Sequence, residues 1–148
     1  MAALRRIQKE LATLHKEPIP GVTIETKDDN LLLWTCSIRG PAGTPYEGGT
    51  FKLTMDFTDK FPFKPPVVAF TTKMYHPGVN EEGAICLPVL KDEWQPTMTV
   101  KQVLLKIVDK VGNPSVDDPF MPDIATQLKN DQGQFITTAK EWTKQYAM

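Results

Sequence analysis

Four strand-like segments follow one another along the chain, at Gly21–Glu25, Leu31–Arg39, Thr50–Phe57 and Val67–Thr71, and none of the connections between them reaches a dozen residues. Parallel neighbours need a crossover of that length or more, so the spacing confines these strands to an antiparallel meander. Turn formers mark the breaks, at Asp28-Asp29-Asn30, at Gly40-Pro41-Ala42-Gly43 and across Thr58–Pro66. Ahead of the strands, Leu4, Ile7, Leu11 and Leu14 recur at helical spacing, with charged residues between them. They predict an amphipathic first helix that ends at the Glu17-Pro18 step. Helical periodicity returns at Val100, Val103, Leu104, Ile107, Val108 and Val111. Its start carries a capping-box pattern from Thr99 to Gln102, and its end is marked by Gly112 with Pro114 beyond. Two more helices are expected, at Pro122–Asn130 and at Gly133–Tyr146, the last with Phe135, Ala139, Trp142 and Tyr146 on one side. Strands first and helices afterwards spell an α+β fold.

Composition narrows what such a domain does. A chain of 148 residues, 41% hydrophobic and 24% charged, suits one soluble globular domain over 1–148. A net charge of -1 argues against a general nucleic-acid binder, whose affinity comes largely from many lysine and arginine contacts to phosphate. No apolar run is long enough to span a bilayer, and Met1 to Leu14 has no apolar signal-peptide core. The expectation is a cytoplasmic or nuclear protein that binds neither nucleic acid nor membrane. The two cysteines, Cys36 and Cys86, do not form a CxxC pair and suggest no metal site. Cys36 alternates with Trp34 and Leu32 in a strand and reads as core.

Residues 72–98 lack clear periodicity and are rich in turn formers. So long an irregular stretch inside a small domain is usually functional. Cys86 lies in it, within Glu82-Gly83-Ala84-Ile85-Cys86-Leu87-Pro88. A lone cysteine is more often a small buried hydrophobe than a nucleophile. A papain-like reading would need a base, and His76, ten residues upstream, is the near one in sequence. It precedes Pro77, which holds it extended, and its ring suits pinning backbone as well as it suits a base.

Tyr75-His76-Pro77-Gly78 followed by Cys86-Leu87 resembles the active-site segment of ubiquitin-conjugating enzymes. Pro45-Tyr46-Glu47-Gly48-Gly49-Thr50-Phe51 resembles that family's PYxGGxF segment, and Phe61-Pro62-Phe63-Lys64-Pro65-Pro66 its FPxxPP loop. Trp94-Gln95-Pro96-Thr97-Met98-Thr99 resembles WxPxxT, Asn113-Pro114-Ser115-Val116-Asp117-Asp118-Pro119 resembles NPxxDDP, and the stretch from Glu141 to Met148 resembles the closing helix. Six segments in family order are highly specific where any one would be weak. The resemblance spans the chain with no appreciable extension at either end. It implies the ubiquitin-conjugating fold: an N-terminal helix, a four-stranded meander, a long active-site loop and C-terminal helices.

It also implies a chemistry. Ubiquitin would be held as a thioester on Cys86 and passed to a ligase cysteine or a substrate lysine, with ATP consumed by the activating enzyme and no cofactor bound here. Such a carrier benefits from having no general base beside the thioester, because a base would activate water. Glu81, Glu82, Asp92 and Glu93 lie close in sequence and disfavour a highly reactive thiolate. An acceptor lysine, with a free pKa near 10.4, must shed a proton. Asp117 and Asp118 match the family's acidic pair, Asp118 being the better candidate to position the amine and take that proton. The same Asp-Asp-Pro is also a turn former.

Two positions depart from the family. Gly78 replaces the asparagine whose amide helps to brace the loop and to hold the tetrahedral oxyanion, and Asn80 either stands in for it or shapes a turn. Pro88 stands where lysine-active relatives often carry aspartate, and relatives that read Cys-Leu-Pro tend to serve ligase cysteines. The resemblance further implies a monomer that docks the activating enzyme and ligases of the HECT, RBR or RING type, through Arg6 and Lys9 on the first helix and through Phe63 and Pro96 on two loops. Two alternatives stay open: a carrier of a ubiquitin-like modifier, and a weakly active ubiquitin-binding variant. The acidic balance and the DDP segment favour ubiquitin over the strongly basic SUMO carriers. Retained Cys86 argues against an inactive variant.

Overall fold

A computed structural model describes residues 2–117 and 119–148. The first helix, α1, runs Ala2–Lys16 and stops just short of Pro18. Strands β1 (Val22–Lys27), β2 (Asn30–Arg39), β3 (Thr50–Asp56) and β4 (Val67–Phe70) form one antiparallel sheet in the order β1-β2-β3-β4. The meander expected from loop lengths is the one that forms. β1 continues two residues beyond the expected Glu25: Thr26 keeps the regular register opposite Trp34, and Lys27 pairs with Asn30 after a register shift before the turn. β4 ends one residue early, at Phe70, although the Thr71 amide still donates to Lys52 O.

Register fixes the core. Trp34 pairs with Met55 and Cys36 with Leu53, while Leu53 pairs with Phe70 and Met55 with Val68. Residues opposite one another share a face, so this alternation lays one continuous apolar surface on the sheet. All of these residues are buried. Helix α2 (Val100–Gly112) belongs to the same core through Val100, Val103, Leu104, Ile107 and Val111, and each such burial is worth about 1.5–3 kcal/mol. Its capping box forms as the sequence predicts: Thr99 accepts from the Gln102 amide, and the Gln102 side chain accepts from the Thr99 amide. The helix end differs. Gly112 is still helical, and Asn113 forms the cap with its amide on Asp109 O. A Cβ at 112 would stand 3.3 Å from Pro41 Cγ, so close packing accounts for this glycine.

Helices α3 (Pro122–Asn130) and α4 (Gln132–Tyr146) close the domain, with Pro122 at the first turn of α3, where a missing N–H costs little. Phe135 and Ala139 are buried as expected, whereas Trp142 is half-buried and Tyr146 lies 40% exposed. Between β4 and α2 the chain is mostly irregular, with a single 3-10 turn at Pro88–Leu90. Among the described residues no helix is long and apolar enough to cross a membrane.

Candidate active site

The irregular stretch is held by a compact set of backbone bonds. Val79 bridges Ile85, Asn80 N–H donates to Ala84 O at 3.0 Å, and Cys86 N–H donates to Gly78 O at 2.8 Å. Residues 78–86 therefore make a small hairpin. It is fastened to the sheet where Ala84 bridges Ala69 and Phe70 N–H donates to Gly83 O at 2.8 Å. Gly83 is required at the turn: its φ is +85°, and a Cβ there would stand 1.9 Å from Phe70 O. Asn80 Oδ1 accepts from Ala84 N at 2.8 Å, and Asn80 O accepts from Gly83 N at 3.0 Å. Asn80 thus shapes the turn through both its side-chain and its main-chain oxygen.

This hairpin presents Cys86 half-exposed between buried Ile85 and buried Leu87. The chain then turns sharply at Pro88, whose carbonyl accepts from the amides of Lys91 and Glu93. The segment before α3 returns to the same place. Met121 N–H donates to Pro77 O at 3.0 Å, and Lys91 Nζ lies 4.6 Å from the Phe120 ring centre. These two ties bring Phe120 and Met121, at the end of the crossover from α2, alongside the cysteine loop. Asp117 is exposed on that crossover, its amide bonded to Ser115 Oγ, while the Asp118 assignment lies outside the described residues.

Of the two roles left open for His76, its contacts are those of a brace on backbone. It is wholly buried and stacks on Tyr46, whose hydroxyl donates to Tyr75 O at 2.6 Å. Its Nδ1 accepts from Gly78 N–H at 2.9 Å, which puts the ring proton on Nε2, and Nε2 then donates to Lys110 O at 2.8 Å. Both nitrogens are spent on backbone, so the ring ties the loop to α2. Burial pulls its pKa down to about 4, from an ordinary 6.5. A histidine depressed in the folded state binds its proton more weakly there than in the unfolded chain, so it stabilises most above pH 6.5 and loses that contribution as pH falls toward 4. We expect wild-type stability to fall by about 2 kcal/mol between pH 7 and pH 5 from this residue. Urea midpoints should show that slope in the wild type and lose it in His76→Phe, which is less stable but flat.

The expected docking residues divide. Phe63 is 76% exposed, although its loop is anchored firmly by neighbours. Phe61 is buried against Phe57 and Trp94, and Trp94 Nε1 donates to Pro62 O at 2.8 Å. Pro96 and Lys9 are exposed. Arg6, expected as a docking residue, is engaged within the domain. Its guanidinium donates to Pro96 O at 2.9 Å and Met98 O at 2.8 Å, pairs with Glu10 at 3.3 Å, and lies over the Phe61 ring. Glu10, almost fully buried, in turn receives the Val100 amide at the start of α2. Arg6 therefore fixes the loop that carries Pro96. Helical spacing on α1 gave no sign of this, because its partners lie about ninety residues away.

Among the described residues no group of three or more His, Cys, Asp or Glu side chains is arranged to hold a metal ion. Residues 6–143 match the family model described as ubiquitin-conjugating enzyme.

Proposed function

The chain belongs to the ubiquitin-conjugating enzyme family, and from that premise we propose that it carries ubiquitin as a thioester on Cys86 and delivers it chiefly to ligase cysteines. The observation that carries this reading is the contrast between the two thiols. Cys86 is half-exposed on a docked hairpin, whereas Cys36 is sealed inside the sheet. In the loading step Cys86 sulfur, as thiolate, attacks the thioester carbonyl of ubiquitin held on the activating enzyme. The tetrahedral intermediate collapses by expelling that enzyme's cysteine as thiolate. Discharge repeats the same exchange with Cys86 as the leaving group, and ATP is used upstream.

The surroundings favour keeping the thioester until an acceptor arrives. His76 is neutral and fully hydrogen-bonded, so it does not activate water. Amine attack is less well served, because Gly78 offers no side-chain donor and Pro88 no carboxylate. An oxyanion donor is worth about 10²–10³ in rate, and an amine route that must also shed a proton depends on it more than thiolate attack does. Single-turnover discharge of the loaded protein to free cysteine and to free lysine, side by side, tests the preference. Fast cysteine and slow lysine discharge are expected, and equal rates would remove it.

Ligases would dock on exposed Phe63 and neighbouring Pro96, an aromatic and a proline on loops stiffened by Trp94 and Arg6. A pre-organised aromatic anchor is worth about 2 kcal/mol or more, roughly thirtyfold in affinity. Phe63→Ala should therefore weaken ligase-stimulated discharge by roughly that factor and leave loading by the activating enzyme nearly intact. Unchanged stimulation with a responsive ligase would count against the contact. Arg6 serves this surface indirectly, by holding Pro96 in place.

A further inference from the structure

Position 78 has no side chain, yet the space beside it is filled. A Cβ built on Gly78 would stand 2.9 Å from Lys110 Cε, so the aliphatic stem of Lys110 lies where a residue-78 side chain would go. The backbone of Lys110 is tied to the same loop. Its carbonyl receives the Nε2 proton of His76, His76 Nδ1 receives the Gly78 amide, and Gly78 O receives the Cys86 amide. This relay of short bonds runs from the lysine to the nucleophile. Residues facing each other across a hairpin stand about 5 Å apart at their side-chain positions. A lysine stem resting on Gly78 is therefore within a side chain's reach of Cys86.

The placement is unusual for a lysine. Val103 and Ile107 are buried on one stripe of α2, and residue 110 continues that stripe at the next helical step. Lys110 is half-buried there, with its charge close enough to contribute to the depressed pKa of His76. The ion pairs among the described residues are Arg6–Glu10 and Lys101–Glu17, and Lys110 belongs to neither.

The geometry points to Lys110 as the residue that supplies positive charge to acyl transfer at Cys86, across the opening left by Gly78, and that biases transfer toward thiolate acceptors. This rests on the thioester reading above. In discharge, the acceptor thiolate sulfur bonds to the thioester carbonyl carbon, and the carbonyl electron pair moves onto oxygen. The oxyanion then re-forms the carbonyl as the bond to Cys86 breaks, and Cys86 departs as thiolate. No proton is gained or lost overall. An ammonium here helps to hold the acceptor as thiolate and favours the charge as it moves onto the oxyanion and then onto the departing sulfur. It repels an incoming lysine ammonium, which raises specificity against amines.

The test uses Lys110→Met, Lys110→Gln and Lys110→Arg in the full chain, since Met, Gln and Arg are all good helix formers at a half-exposed site. Each is first loaded with ubiquitin. If the wild type forms no thioester, the underlying reading fails, and the role of Lys110 falls with it. With loading established, single-turnover discharge to free cysteine should drop about tenfold or more in Lys110→Met and Lys110→Gln and stay near wild type in Lys110→Arg. The ratio of lysine to cysteine discharge should rise in both neutral variants. Alkylation of unloaded Cys86 by iodoacetamide should slow about threefold in them, a change that a purely packing role would not produce. Wild-type discharge in the neutral variants, or an equal loss in Lys110→Arg, would overturn the inference and leave the thioester reading standing.

Discussion

Cys86→Ser is expected to abolish the reductant-sensitive ubiquitin adduct, and Cys36→Ser to leave it in place. The difference follows from where the fold puts each thiol. Cys36 has no exposed surface and lies between Ile24 and Leu53 in the sheet register. Burial pushes its pKa up to about 12, so at neutral pH almost none of it is thiolate, and a ubiquitin C-terminus could reach it only by opening the sheet. Serine at 36 buries a hydroxyl in an apolar site, which should cost about 1–3 kcal/mol of stability without touching the chemistry. Cys86 is the half-exposed thiol, and serine there lacks an accessible anion at neutral pH. A slow, reductant-resistant ester is the most that Cys86→Ser should form. Non-reducing and reducing gels of both variants separate these outcomes. An intact reductant-sensitive adduct in Cys86→Ser would move the acyl site elsewhere.

The second large effect is expected at Gly83. Alanine there must adopt φ near +85° and place its Cβ 1.9 Å from Phe70 O, which is backbone and cannot step aside. A left-handed alanine costs about 1–2 kcal/mol and overpacking about 1–3, together roughly 2–5 kcal/mol. For a chain of this length that corresponds to a melting-temperature drop of roughly 10 °C. The damage should be local first, because Phe70 N–H to Gly83 O is one of the bonds that fasten the hairpin to β4. Faster hydrogen exchange at the Phe70 amide and slower loading of Cys86 should accompany the lower melting temperature. Gly43 is the matched control: its φ is +81°, but a Cβ there meets nothing within 4 Å. Gly43→Ala should show only the conformational cost of about 1–2 kcal/mol. Identical melting of the two variants would mean that the hairpin is not clamped as described.

What the sequence revealed and what it hid divide along a physical line. The strands, the Thr99 capping box and the Pro18 and Pro122 boundaries are local signals, carried by residues a few positions apart, and each appears in the fold within two residues of its expected place. The functional loop has no such period. Its hairpin exists because Gly83 O reaches Phe70 and Pro77 O reaches Met121, and nothing near residue 80 announces those partners. His76 illustrates the limit. Base and brace were equally compatible with Tyr75-His76-Pro77, and the decision came from Lys110 O, thirty-four residues away. Arg6 looked like a docking cation for the same reason, since its carbonyl partners lie on a distant loop. Lys110 gave no local sign either: Val111 completes the apolar spacing of α2, and only the packing of the lysine stem beside Gly78 sets residue 110 apart.

Whether this protein holds ubiquitin as a thioester on Cys86 is tested by one loading reaction. The wild-type chain is incubated with the ubiquitin-activating enzyme, ATP and ubiquitin, and the products are measured by intact mass before and after thiol reductant. A parallel reaction contains a ubiquitin-like modifier with its own activating enzyme. A single adduct with ubiquitin is expected, formed only with ATP and heavier than the free chain by one ubiquitin less one water. Reductant should reverse it completely, and it should map to the peptide that contains Cys86. No adduct with ubiquitin, or an adduct formed only with the ubiquitin-like modifier, would contradict the thioester reading.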